Sequence, residues 1–198
     1  MRKLIVTEFI SIDGVVGEPH EWHFPFWSDE MGAYKQKEVF SHDGLVLGRR
    51  TYDGFAAAWP AYDDEDGFAD RMNGMPKYVV STTLTNPAWN NTSVIQGDVV
   101  AALNDLKAQE GQDLMIAGSV SLINSLVESG VIDEYRLMVH PVVVGKGLRM
   151  WQDRETPASF DLASVEHLPN GVMVVTYVPR APESATPHPY ADQGGTAS

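Results

Sequence analysis

Two short stretches of the 198-residue chain combine a glycine with a hydroxyl residue at a strand-to-helix turn, and one of them adds two arginines, in the order that phosphate chemistry uses. In Gly48-Arg49-Arg50-Thr51 the glycine lets the backbone approach a ligand, and a helix start offers free N–H groups and partial positive charge. The Thr51 hydroxyl can bond a phosphate oxygen, and two guanidiniums supply charge. Gly118-Ser119-Val120 repeats the pattern of apolar strand, glycine and helix. Ligands of open α/β sheets sit at the carboxyl ends of strands, so two such turns on one sheet would bracket a diphosphate. Neither turn has the spacing G-x-G-x-x-G or G-x-x-x-x-G-K-[ST], which argues against a standard dinucleotide-binding half and against an NTPase.

The candidate acids lie near the first strand and first helix. Glu8 sits in the apolar run 3–12 (KLIVTEFISI), where burial would raise its pKa and suit it to general acid work, unless it sits at a strand edge or in an ion pair. Asp13 follows Ser11-Ile12 and precedes Gly14, a sequence that also makes an ordinary turn. Asp29 and Glu30 open the first helix, where the helix dipole favours them whether or not they touch substrate. Trp22, Phe24, Phe26 and Trp27 form a dense aromatic group that would either roof a flat heterocycle or serve packing and dimer contact. Lys146 and Arg149 lie in a glycine-flanked loop and would either meet a substrate phosphate or remain solvated. His20-Glu21-Trp22-His23 is one residue short of the i, i+4 spacing of the H-E-x-x-H zinc helix, and no metal site is assigned.

The elements that must position these residues follow from periodicity. Residues 3–12 read as a central strand covered on both faces. Ser28 caps a helix running to about Phe40, then come a strand at 44–47 and a short helix at 50–58 that ends before Pro60. The acidic stretch 61–74 reads as a surface excursion. Strands at 77–81 and 92–95 lead to a helix capped by Asp98, with Val99, Ala102, Leu103 and Leu106 on one face. A strand at 113–117 is followed by a helix presenting Leu122, Ile123, Leu126 and Val127 and closed by Gly130. Strands alternating with helices predict a largely parallel α/β sheet. Residues 134–144, 160–168 and 172–178 read as strands without intervening helices, and the turn Pro169-Asn170-Gly171 makes the last ones antiparallel. One domain is expected over 1–180. Residues 181–198 hold three prolines and no aliphatic side chain larger than Ala, and are expected to be disordered.

With 14 Lys and Arg against 27 Asp and Glu the formal net charge is −13. Such a field repels phosphate-rich surfaces, so neither nucleic acid nor anionic membrane is an expected partner, and a phosphate-bearing ligand needs a local basic pocket. The absence of cysteine excludes disulfides and a thiol nucleophile. The N-terminal run is broken by Glu8 and Asp13 and is too short and polar for a signal or a membrane span, so a cytoplasmic protein is expected.

Ser11-Ile12-Asp13-Gly14, Leu47-Gly48-Arg49-Arg50-Thr51-Tyr52, Lys77-Tyr78-Val79-Val80-Ser81, Gly118-Ser119, Val131-Ile132-Asp133-Glu134 and the run from His140 to Gly147 stand in one order. In that combination the chain resembles the dihydrofolate-reductase-like superfamily. More narrowly, over residues 2–178, it is similar to the pyrimidine reductase domain of riboflavin biosynthesis and its stand-alone bacterial relatives. The resemblance implies an NADPH-dependent reductase, usually a homodimer, with a three-layer α/β fold around a mixed, mostly parallel sheet of about eight strands. It places Gly48, Arg49, Arg50 and Thr51 at the cofactor's phosphates and Ser81 and Thr82 near the adenosine 2′-phosphate. Gly118, Ser119 and Val120 fall under the diphosphate and nicotinamide, and Asp13 where nicotinamide and substrate meet. Asp29 and Glu30 lie on the helix where dihydrofolate reductases carry their pterin-binding carboxylate. Many relatives have Arg directly after the serine at position 81; here Thr82-Thr83 follows, so a basic partner for the 2′-phosphate falls to Arg49 or Arg50. The implied substrate is a ribosylamino-pyrimidine phosphate reduced to its ribityl form. The alternatives are a pterin or other small heterocycle, or a non-catalytic ligand-binding dimer of the same fold.

Overall fold

Leu4–Ser11 carries apolar residues on both of its alternating faces, and a strand of that kind is stable only in the middle of a covered sheet. In the computed structural model, which describes residues 1–63 and 65–180, it is β1 of an eight-stranded sheet. The elements run β1 (Leu4–Ser11), α1 (Asp29–Phe40), β2 (His42–Gly48), α2 (Arg49–Ala58), α3 (Phe68–Gly74), β3 (Lys77–Val80) and β4 (Thr92–Ile95). They continue with α4 (Val99–Ala108), β5 (Asp113–Ala117), α5 (Val120–Leu126), β6 (Glu134–His140), β7 (Phe160–His167) and β8 (Met173–Pro179). The strand order is β4-β3-β2-β5-β1-β6-β8-β7. β1 to β6 are parallel, and β8 is antiparallel to both β6 and β7, so β8 alone runs against the rest. β5 is inserted between β2 and β1, which makes the carboxyl ends of these three strands the topological switch point.

Helices cover both faces. Leu4, Val6 and Ile10 of β1 pack with Leu103 of α4 and with Val120, Leu122, Ile123 and Leu126 of α5. Leu45, Leu47, Val79 and Met115 pack with Tyr52 of α2 and Met72 of α3, while Met31 of α1 meets Met138, Val172 and Val174. The helix starts follow their cap residues: Ser28 Oγ accepts from the Met31 N–H at 3.2 Å, and Asp98 from Ala101 at 3.0 Å. No helix among the described residues is long and apolar enough to cross a membrane.

Two expectations need correction. The stretch 61–74 is not all surface: Phe68–Gly74 is helical and buries Ala69 and Met72, because Phe68, Ala69, Met72 and Met75 recur at helical spacing and give it one apolar side. The strand expected over 134–144 ends at His140, and Val144 and Gly145 give their N–H groups to a side chain instead of a neighbouring strand. The tail 181–198 lies outside the described residues.

At the amino ends of the strands the sheet is tied by buried charge. Asp133 Oδ2 accepts the Leu4 N–H at 2.8 Å and meets Lys107 Nζ at 2.6 Å, and the buried Lys107 also donates to the Val131 carbonyl at 2.9 Å. Asp133→Ala leaves this ammonium without its counter-charge and the Leu4 N–H without its acceptor. A loss of ~2–4 kcal/mol is expected by chemical denaturation, with the carboxyl ends of the strands unaffected.

Candidate functional site

β2 ends in Gly48, which begins α2 with no side chain to cap its first turn. Beside it, β5 is followed by Gly118 and Ser119, at φ +63° and +69°. The two turns hold each other. The Gly48 N–H donates to Ser119 Oγ at 2.9 Å, and the Ser119 N–H donates to Thr51 Oγ1 at 2.9 Å. A Cβ added at Gly118 would stand 3.0 Å from Thr51 Cγ2, so the close approach requires glycine. Among the described residues no side chain caps the first turn of α2, which suits an anion.

Arg49 extends this surface sideways. Its Nε lies 2.9 and 2.8 Å from the two carboxylate oxygens of Asp53, and its Nη1 is 3.4 Å from Thr83 Oγ1 in the turn after β3. Arg49, Thr82 and Thr83 are exposed together there. The Ser81 hydroxyl is buried and accepts the N–H groups of Thr83 (3.2 Å) and Leu84 (3.0 Å), so it shapes that turn and is not offered outward. The Arg50 side chain is 86% exposed, with Glu18 at 3.9 Å as its ion-pair contact.

Asp13 closes the other side of the switch point. Its carboxylate accepts from Ser11 Oγ at 2.7 Å, Val144 N–H at 3.0 Å and Gly145 N–H at 2.9 Å. Arg149 bonds the Asp13 carbonyl and reaches its carboxylate at 3.6 Å. The Ser11 hydroxyl, with the Val144 N–H next, holds the acid at a pKa of about 2. Asp13 is therefore an ionised clamp on the loop after β6, unsuited to giving a proton near neutral pH.

Glu8 and Asp29 are not brought to Asp13's side. Glu8 is buried in β1 with Oε1 unpartnered, and burial raises its pKa to about 8 against a lesser opposing pull from Lys35. It holds a proton at neutral pH, as its place in the strand implied. Strand alternation nevertheless sets it with Val6 and Ile10 toward α5, on the opposite face from Phe9. Asp29 is exposed in the first turn of α1 beside Glu30, the plain cap-and-dipole position.

On the α1 face, where β1 and β6 end, stands a group that single-residue reasoning missed. His140, the last residue of β6, pairs in register with Ser11, and its ring centroid lies 6.0 Å from that of His23. Phe9 stacks on His23 at 4.9 Å, Trp22 meets His140 edge-on at 5.3 Å, and Phe26 and Trp27 complete the wall. Both histidines are buried. Desolvation, then His140 and His20, push His23 down to about 4, and burial likewise lowers His140. The sequence signal lay in the aromatic run 22–27; nothing local tied it to His140, more than a hundred residues away.

The RibD C-terminal domain family model matches residues 2–174. The chain belongs to the RibD C-terminal domain family. Among solved structures, this RibD C-terminal domain protein is similar to a putative riboflavin biosynthesis protein from Shewanella sp. PV-4, with TM-score 0.72 and 21% identity over 90% of this chain and 99% of that one. It is also similar to the Enterococcus faecalis dihydrofolate reductase complexed with NADP(H), with TM-score 0.59 and 16% identity over 90% and 97%. A third likeness is to the Thermotoga maritima diaminohydroxyphosphoribosylaminopyrimidine deaminase/5-amino-6-(5-phosphoribosylamino)uracil reductase, with TM-score 0.61 and 14% identity over 90% of this chain and 57% of that one. These likenesses establish the dihydrofolate-reductase-like fold, a mixed sheet whose C-terminal strands are antiparallel.

Two measurements check the electrostatics. A raised carboxyl stabilises the fold below its ordinary value of 4.5, and that contribution is lost as pH climbs to about 8. Glu8→Gln is expected to raise the thermal midpoint by ~4 °C or more at pH 8 and by much less at pH 5. Asp13 has the opposite sign: its contribution is present above 3.8 and lost as pH falls toward about 2. Asp13→Ala is expected to speed amide exchange at Val144 and Gly145 and to flatten stability below pH 4.

Proposed function

We propose that this RibD C-terminal domain protein is an NADPH-dependent reductase whose substrate is a phosphorylated ribosylamino-pyrimidine, 5-amino-6-(5-phosphoribosylamino)uracil or a close analogue. The observation that carries the reading is the pair of interlocked turns at the switch point, with uncapped α2 N–H groups and two arginines beside them. That donor set fits a nucleotide diphosphate: Gly118 lets its turn close on Thr51, and the first turn of α2 supplies N–H groups and partial charge. Arg49, oriented by Asp53 toward Thr83, is placed for a 2′-phosphate, and the exposed Arg50 for a diphosphate oxygen.

The cofactor, when bound, supplies hydride from its nicotinamide ring. The chain's own part is alignment and exclusion of water. Asp13 fixes the loop after β6 through Val144, Gly145 and Arg149, and Lys146, exposed in that loop, is the cation for a substrate phosphate. The aromatic wall around His23 and His140 offers flat apolar surface to a heterocycle.

A homodimer in the cytoplasm accompanies this reading. Supporting it, Trp151, Leu162 and Val165 are exposed on the outer part of the sheet, where Tyr135, Leu137, Trp151, Phe160 and Tyr177 line a pocket of about 260 Å³.

Calorimetric titration with NADPH and NADH tests the assignment without a substrate. NADPH is expected to bind, and Arg49→Ala to weaken it by ~10-fold or more while changing NADH binding little. Binding of neither cofactor would overturn the reductase assignment in favour of a non-catalytic ligand-binding module.

A further inference from the structure

A buried imidazole nitrogen without a partner forfeits its hydration for nothing, and two such nitrogens side by side mark a place where a ligand would supply the missing bonds. Among the described residues three buried imidazoles leave a nitrogen unpartnered; one, Nε2 of His42, stands alone at the start of β2, and the other two are neighbours, Nδ1 of His23 and Nε2 of His140. Their side of the sheet is where β1 and β6 deliver Ser11 and His140 to the same level, two residues before Asp13.

The tautomer of His140 follows from its one bond. Its Nδ1 lies 2.9 Å from the Met138 carbonyl oxygen, which can only accept, so Nδ1 carries the hydrogen. In the neutral ring Nε2 is then a bare acceptor. Among the described residues its ring contacts are Phe9, Trp22, His23 and Phe26, with the Ile10 backbone carbonyl also acting on the ring. A site made of an acceptor nitrogen between aromatic walls selects a flat, uncharged ring that presents an N–H or amino group, and rejects one whose edge is alkylated.

We infer that His140, assisted by His23, is the specificity-determining contact for the N–H edge of a planar, uncharged heterocycle, held where β1 and β6 end. The wall on the outer side is one side chain deep: Phe24 and Trp27 are 62% and 43% exposed on a connection made of short 3-10 turns, Pro19–Glu21 and Phe24–Phe26. A ligand therefore reaches the imidazoles by moving side chains, without breaking the sheet. This inference deepens the reductase reading by naming the ring edge that its substrate site recognises, yet it makes a claim about binding alone.

The test uses the full chain, with and without NADPH, and 5,6-diaminouracil as the probe, followed by calorimetry and by long-range proton–nitrogen NMR of the histidine rings. The probe is expected to bind and to shift the His140 Nε2 resonance. His140→Phe, which keeps the aromatic volume but removes the acceptor, is expected to weaken the probe at least tenfold while leaving NADPH affinity unchanged. An N-methylated, N,N-dialkylated diaminouracil is expected to bind the wild-type chain no better than the unmodified probe binds His140→Phe. No binding to the wild-type chain, an Nε2 resonance that the probe does not move, or equal affinity in His140→Phe would overturn the inference. The NMR measurement on the wild-type chain decides it even where His140→Phe fails to fold. Loss of NADPH binding alone would overturn the reductase reading and leave this inference standing, whereas an insensitive His140→Phe would do the reverse.

Discussion

Ser119 joins the halves of the proposed cofactor site through two hydrogen bonds, one by its backbone and one by its side chain. Its N–H is given to Thr51 and its hydroxyl takes the N–H of Gly48, so one residue specifies the separation of two strand-to-helix turns. The cost is a left-handed backbone at a residue with a side chain, an arrangement that the surrounding structure must over-determine. The return is rigidity. α2 begins on a glycine and keeps its first N–H groups uncommitted, while the turn beneath them is already in place, so an anion would meet an organised cradle.

Across β5 and β1 the same logic is repeated with a charge at its centre. Asp13 gathers two backbone N–H groups and Arg149, and so ties the loop after β6 to the end of β1. Ionisation suits this role, because each of its contacts strengthens with the negative charge. Glu8 shows the reverse case: removed from water with an oxygen unpartnered, it favours the neutral form. Two carboxylates only five residues apart thus differ in protonation because one faces donors and the other faces the core.

Much of the architecture was legible because it rests on local rules. The capping serine and aspartate, the apolar spacing of α4 and α5, and the two glycine turns read directly from residue order, and they brought Gly48, Arg49, Thr51, Gly118 and Ser119 to one place. What stayed hidden depends on pairs far apart in the chain. In sequence Asp13 reads as a turn residue or a substrate neighbour, since nothing near it announces Val144 or Arg149. The buried fate of the Ser81 hydroxyl depends on how the chain turns after β3, and the meeting of His23 with His140 on the register of β1 against β6. The helix within 61–74 was masked by its acidic neighbours, which outweighed four apolar residues at the right spacing.

The position of β1 also governs how the chain can be made. Of the eight strands the first in chain order is central, and its two neighbours, β5 and β6, comprise residues 113–117 and 134–140. Neither of its edges can be satisfied until the chain has passed through β2, β3 and β4 to β5, so an apolar strand waits unpaired while they are made. Sheets closed by such distant partners fold slowly and are vulnerable while open. A nascent chain of this topology has an intrinsic need for shielding at β1, and truncations that stop before β6 remove half the support of the strand on which the whole sheet is centred.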